Sequence, residues 1–341
     1  MKRMDRLVWV PVMVILALFM VGSTGEAADP KLPKVTWQLP TTEASHEDWT
    51  VKAIDGFAEA VAKRTDGNFK IVVTLGGELG IKREELPRAL ASGRIQAASL
   101  PAGHVAGTFP FLNVYGLPFL VGSLEDGLKV GQAVKPITER EFKKLGIAPF
   151  AFFIMTPVGL WSRTEIKDLS AMNNIKVRAW DESTSDIVKA LGGIPVIMPV
   201  TEVYTALQRG VIQAVLTGAP AMLNVSAQEL CKFGYLVNLA PACVYLAYNI
   251  KAFEALPKEY QSIFLEEAKK FEKHMVEIQP IEDNRSLEKM RKAGVTLITP
   301  KADEMSRVKE KVKPLWQRWA DKNGPIAVEA MNAATAALGI K

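Results

Sequence analysis

Cysteine and histidine are scarce in these 341 residues. There are two of the first, Cys231 and Cys243, and three of the second, His46, His104 and His274. Neither cysteine belongs to a Cys-x-x-Cys, so no thiol metal or redox motif is present, and three scattered histidines do not make a metal site. Two buried thiols or one disulfide are equally compatible with the pair, because sequence does not give the distance between their Cα atoms. Nucleophile motifs are missing too: there is no Gly-x-Ser-x-Gly and no His-Glu-x-x-His. Gly76-Gly77-Glu78-Leu79-Gly80 lacks the Lys-Ser/Thr ending of a phosphate loop and reads as a turn at the end of a strand. The net charge of +5 is spread among acidic residues, with no basic stripe interleaved with aromatics, which excludes a nucleic-acid footprint. Repeats, low-complexity stretches and apolar runs of membrane-spanning length are also absent beyond the N-terminus. No nucleophile–base pair suggests an enzyme, and nothing calls for a cofactor.

What is present begins at the N-terminus. Lys2, Arg3 and Arg6 precede an apolar run from Leu7 to Val21 broken only by Pro11, and Gly25 and Ala27 stand at −3 and −1 of a cleavage site. This is the plan of a secretory signal peptide over 1–27. The run is short beside the roughly 20 residues a membrane helix needs. No cysteine lies nearby to take a lipid. The remaining chain of about 310 residues exceeds the usual size of one hydrophobic core, so two lobes are expected.

Hydrophobic periodicity then gives a strand at Val35–Leu39 and a helix capped by Ser45 or Thr50, with Ile54, Phe57, Ala58 and Val61 on one face. A turn at Asp66-Gly67-Asn68, a strand at Phe69–Leu75, a helix at Lys82–Ala91 and a strand at Ile95–Leu100 follow. Such alternation predicts a mostly parallel sheet covered by helices. Ile147–Met155 reads as a strand leading into a second lobe, which repeats the pattern at Ile175–Arg178, Val196–Met198 and Ile212–Leu216. Val244–Ile250 returns to the first lobe. A helix from Pro257 to Lys292, expected to kink at Pro280, is long enough to span both.

Arg178 leaves the tip of an apolar strand, where a guanidinium can offer a planar fork of donors to a carboxylate. The alternative is an internal ion pair with Asp181 or Glu182. Trp161 and Trp180 lie near the same strand ends and suit either core packing or the wall of a ligand pocket.

Several segments together resemble the extracytoplasmic solute receptors of TRAP (tripartite ATP-independent periplasmic) transporters, the DctP-like family. Gly77-Glu78-Leu79-Gly80 is similar to that family's Gly-x-Leu-Gly turn, and Leu117-Pro118-Phe119 to its Leu-Pro-Phe. Ile175-Lys176-Val177-Arg178 resembles its Leu-Lys-Ile-Arg, and Ala190 to Val196 its Ala-Leu-Gly-Ala-x-Pro. Glu202-Val203-Tyr204-Thr205-Ala206-Leu207-Gln208 matches its Glu-Val-Tyr-Thr-Ala-Leu-Gln, followed by Gly210-Val211-Ile212. Leu256-Pro257 matches its Leu-Pro before the long helix. The resemblance implies an α/β periplasmic-binding-protein fold of two lobes, with a ligand cleft between them and a long connecting helix. The expected division is 28–157 plus 243–282 for the first lobe and 158–242 plus 283–341 for the second. It further implies a periplasmic protein that is not an enzyme. Arg178 would hold the carboxylate of a small organic acid, and integral membrane small and large permease subunits would receive it.

Three positions depart from the family's pattern. Trp161 replaces a second arginine, Thr217 followed by Gly218 replaces an asparagine, and Pro101 stands where a polar residue is common. With Trp180 they form the expected ligand-binding set beside Arg178. They favour an apolar or aromatic monocarboxylate. A C4-dicarboxylate receptor, with Arg163 or His104 supplying the second charge, and an extracytoplasmic carboxylate sensor are the alternatives.

Overall fold

The computed structural model describes residues 32–43 and 45–340; the expected signal peptide, 1–27, lies outside them. In Val35–Pro40 (β1) alternation turns Trp37 and Leu39 inward, and in Phe69–Thr74 (β2) it does the same for Phe69 and Ile71. The two strands pair in parallel from Val35 opposite Phe69 to Pro40 opposite Thr74. Trp49–Arg64 (α1) connects them. Its N-cap is Asp48, not Ser45 or Thr50: the carboxylate accepts from the Thr50 amide at 2.8 Å. Gly67, at φ +74°, makes the turn into β2.

Leu86–Ala91 (α2) leads into Ala97–Pro101 (β3), and Leu124–Lys144 (α3), capped by Ser123, leads into Ile147–Ile154 (β4). The second half of the chain supplies Val158–Ser162 (β5), Lys176–Ala179 (β6), Glu182–Ala190 (α4), Ile194–Ile197 (β7), Val203–Gln208 (α5), Ala214–Gly218 (β8), Ala219–Asn224 (α6) and Phe233–Tyr235 (β9). Cys243–Asn249 (β10) then returns to the first half and inserts between β3 and β4, antiparallel to both. The parallel pairing expected for the first lobe is met by β1 and β2, which form a two-stranded sheet of their own, but not by the three-stranded sheet β3-β10-β4. A strand arriving from the far lobe enters it in the opposite direction to its neighbours. A six-stranded sheet has the order β11-β9-β5-β8-β6-β7, where β11 is Thr296–Ile298. In it β6 runs parallel to β7 and β8, whereas β5 is antiparallel to β8 and β9.

After the short helix Ile250–Glu254 (α7), Lys258–Lys292 (α8) runs for 35 residues, about 52 Å at 1.5 Å per residue. Its first half buries Tyr260, Phe264 and Phe271 against α1 and β4, and its second half buries Met290 in the core beneath the other sheet. Phe264 is the hub of an aromatic cluster, with ring centroids 4.8 Å from Phe150 and 5.4 Å from both Trp37 and Phe57.

Ala302–Val312 (α9) puts Val308 and Val312 into the second lobe's core, and Pro314–Asn323 (α10) follows. Pro325–Ala337 (α11) does not stay with 283–341 in the second lobe as expected. It packs on α3 and on the segment Pro110–Gly116, with Ala330 and Ala334 in the first core. A face of alanines allows that close approach but gives no hint in the sequence of which lobe it meets. Cys231 and Cys243 are free buried thiols in different cores. Among the described residues no helix is long and apolar enough to cross a membrane, and no group of three or more His, Cys, Asp or Glu is placed to hold a metal.

Candidate functional site

A cleft of about 760 Å³ opens where strand ends from the two lobes converge. β1, β2 and β3 deliver one wall through the residues that follow them, and β6, β7 and β8 deliver the other. Arg178, the third residue of β6, is 4% exposed and lines this cleft. Its Nε donates to the Met198 carbonyl at 3.1 Å and its Nη1 to the Leu216 carbonyl at 3.2 Å. Those acceptors come from just beyond β7 and from within β8, the two neighbours of β6. The strand ends thus aim the guanidinium, and the donors that remain have no protein acceptor among the described residues.

Nor does Arg178 take part in an ion pair among the described residues. Asp181 is spent on the N-cap of α4, accepting from the Thr184 amide and hydroxyl at 2.8 Å each. Glu182 pairs instead with Lys322 at 2.9 Å. Burial, then the nearby Arg83, lowers the guanidinium's pKa to about 10, with Asp181 working the other way. It is still a cation at neutral pH. A buried charge with directed donors and no counter-ion is costly, and a ligand carboxylate is the group that would relieve it.

Of the other expected site residues, Trp180, Thr217 and Pro101 line the cleft. The Trp180 ring centroid lies 6.0 Å from Cζ of Arg178. Trp161 and Gly218 do not line it. Trp161 is 1% exposed, packs against Gly234 and Gly159 in the second core, and donates from Nε1 to the Thr217 carbonyl at 2.9 Å. It braces the wall from behind. Every residue of β5 is buried, so this strand has no solvent-facing side, and a large aromatic on it becomes core. Gly218 ends β8 and is the N-cap of α6, where a Cβ would meet the Thr156 hydroxyl oxygen at 2.6 Å. Tight packing explains the glycine there.

Two further cleft residues, Arg83 and Glu43, escaped the sequence reading of the site, and His104, considered there only as a second charge for a dicarboxylate, lines the cleft with them. Arg83 follows the Gly77-Glu78-Leu79-Gly80 turn by three positions, and His104 follows the end of β3 by three. Their place just past the ends of β2 and β3 was the available signal. An Arg83 Nη1–H meets Nε2 of His104 at 3.3 Å. Burial, then the charges of Arg83 and Arg178, pushes the imidazole down to about 3, so the ring is neutral. Glu43 is pushed up to about 7, by burial and then by Asp48.

Two lobes joined by a long helix, with a cleft between them and a charged side chain held ready inside, define a solute-binding protein. Residues 41–323 match the bacterial extracellular solute-binding proteins, family 7 (DctP), and the chain belongs to that family. It is a receptor of the TRAP type that works outside the cytoplasm, and not an enzyme. Among curated relatives, a monocarboxylate 2-oxoacid-binding periplasmic protein of Nostoc sp. is 26% identical over 295 residues, 82% of this chain and 78% of that one. The C4-dicarboxylate-binding periplasmic protein DctP of Rhodobacter capsulatus is also 26% identical, over 286 residues, 82% of this chain and 85% of the relative. The crystal structure of Bordetella pertussis DctP6, an extracytoplasmic solute receptor binding pyroglutamic acid, superimposes with a TM-score of 0.83 at 24% identity, covering 89% of this chain and all of that one.

Proposed function

We propose that this protein is a periplasmic receptor that captures a small organic acid by pairing its carboxylate with Arg178. It then delivers the acid to the small and large membrane subunits of a TRAP transporter. One observation carries the reading. Arg178 is buried in the cleft wall, aimed by the Met198 and Leu216 carbonyls, and has no carboxylate partner among the described residues. The relatives support the transporter context, and those cited bind acids by name. Sequence identity does not choose among acids, since a monocarboxylate receptor and a dicarboxylate receptor are equally similar to this chain.

Trp180 supports a flat apolar or aromatic body next to the bound carboxylate. Trp161 lends that preference no support, because it faces the core. Pro101 and Thr217 complete the near wall. A thermal-shift screen tests the reading by comparing carboxylic acids with their methyl esters. A ligand that binds only the folded state raises the melting temperature. At least one acid should do so strongly and its ester should not. Equal shifts from acid and ester would remove the role given to Arg178.

A further inference from the structure

Leu117-Pro118-Phe119 takes no part in the cleft, since none of its residues lines it. The side chains of this segment divide between the lobes. Leu117, Leu120 and Val121 are buried in the first lobe's core, whereas Phe119 packs against the core of the second. Phe119 has φ +61°, a backbone conformation that a bulky side chain rarely adopts. The left-handed turn sends its ring out on the opposite side from its neighbours. Strain of this kind persists only where the surrounding structure imposes it.

Three contacts impose it here. The Phe119 amide donates to the Leu239 carbonyl at 2.6 Å, and the Pro118 carbonyl accepts from Nε1 of Trp316 on α10 at 3.0 Å. Nζ of Lys309 on α9 lies 5.6 Å from the Phe119 ring centroid. Leu239 belongs to the crossing from β9 to β10, and Met155 and Val158 flank the crossing from β4 to β5. The Leu239 amide donates to the Val158 carbonyl at 3.3 Å, and the Met155 amide to the Ala242 carbonyl at 2.8 Å. These two extended crossings are thus bonded to each other, and Phe119 is bonded to the pair. On their far side is the cleft, which Met155, Val158, Ala240 and Ala242 line. The socket holds the ring loosely. About 20 Å³ stays unfilled between the ring, Leu160, Leu169 and Leu216, and a recess of about 280 Å³ beside Met305 and Lys309 also borders the ring.

We propose that Phe119 is a positioning residue for solute capture, a pivot on which the first lobe turns within the core of the second. The ring is seated in one lobe while Leu117 and Leu120 anchor its turn in the other. The space around the ring lets it rotate in place, and the bonds at Pro118 and Phe119 keep the turn from sliding. The crossings behind the cleft then hinge together instead of splaying, so the cleft walls meet in one register. This assignment rests on the receptor role of the chain and is independent of which acid Arg178 holds.

The test is pulsed electron resonance on the ligand-free mature chain. Spin labels are attached at Glu84→Cys on one lobe and Glu202→Cys on the other, both exposed positions. The native cysteines are buried and stay unlabelled. Phe119→Gly suits the left-handed backbone and removes only the ring. Leu169→Ala opens a cavity in the same core but leaves the pivot in place. Both variants should lower the melting temperature. Only Phe119→Gly should broaden the distribution of distances between the labels, by about twofold or more. Phe119→Leu shortens the reach into the socket, should broaden the distribution less, and carries the comparison if the glycine variant does not fold. A parental width in Phe119→Gly, or in Phe119→Leu where that variant stands in for it, would overturn the pivot. Equal broadening in Leu169→Ala would overturn it as well, because Phe119 would then only fill the core. No acid is added, so failure here leaves the carboxylate role of Arg178 standing.

Discussion

A guanidinium that is 4% exposed needs its donors met, and Arg178 has two of them met by backbone carbonyls. Trp161 shows the converse case of a side chain given entirely to the scaffold. Trp161→Phe should lower stability by about 1–3 kcal/mol, since the Thr217 carbonyl loses its buried donor. Ligand affinity should change only a few-fold; a hundredfold loss by calorimetry would put Trp161 in contact with the ligand after all. Glu43 gives a pH prediction. Its folded pKa of about 7 lies above the model-compound value of 4.5. The folded state therefore holds a proton that the unfolded state has lost between those values, and stability contributed by this group falls as pH rises through that window. Glu43→Gln should melt higher than the parent at pH 8 and show no such advantage near pH 4, by calorimetric melting at both. At this scale Arg178 was legible in the sequence because an arginine at an apolar strand tip is chemically conspicuous. Trp161 was misplaced because its role was carried over from a family arginine, and on a strand buried along its whole length a large aromatic becomes core. Arg83 and its contact with His104 went unseen because 21 positions separate the two in the chain and only the fold joins them.

Among the elements, the loop after β3 and the start of α4 meet across the cleft. A Cβ on Gly103 would lie 2.5 Å from Oδ2 of Asp181 and 3.5 Å from Nε1 of Trp180. The Asp181 carboxylate is fixed by its capping role and has little freedom to move aside. Gly103→Ala should hold the two walls apart and weaken acid binding by roughly tenfold or more while leaving the melting temperature of the free protein nearly unchanged. Unaltered affinity would show that this approach is not needed for binding. In α8, Phe264→Ala removes the hub of the aromatic cluster and should destabilise by about 3–5 kcal/mol, read from denaturant melts. Element identity was largely legible, including the return of β10 and the span of α8, since both carry long, strongly patterned apolar runs. Strand direction and the docking of α11 were not. A strand's apolar content says nothing about which way it runs, and an alanine face fits many partners.

At the scale of the whole molecule, α8 ties the two lobes together while the cleft draws ligand contacts from each. A ligand held from both sides would favour a closed arrangement of the lobes by differential affinity. Export is a separate expectation. The mature N-terminus should lie near Ala28, and intact-mass spectrometry of the periplasmic fraction that finds Met1 retained would contradict it. Both matter less than the arginine on which the cleft is organised. The most direct measurement is calorimetric titration of the tightest-binding acid into the parent protein, Arg178→Ala and Arg178→Lys. Removing one partner of a buried ion pair costs about 3–5 kcal/mol, so Arg178→Ala should lose more than about a hundredfold in affinity. Arg178→Lys should also lose most of its binding, because a point charge lacks the planar fork. Near-parental affinity in a folded Arg178→Ala would contradict the account at its centre.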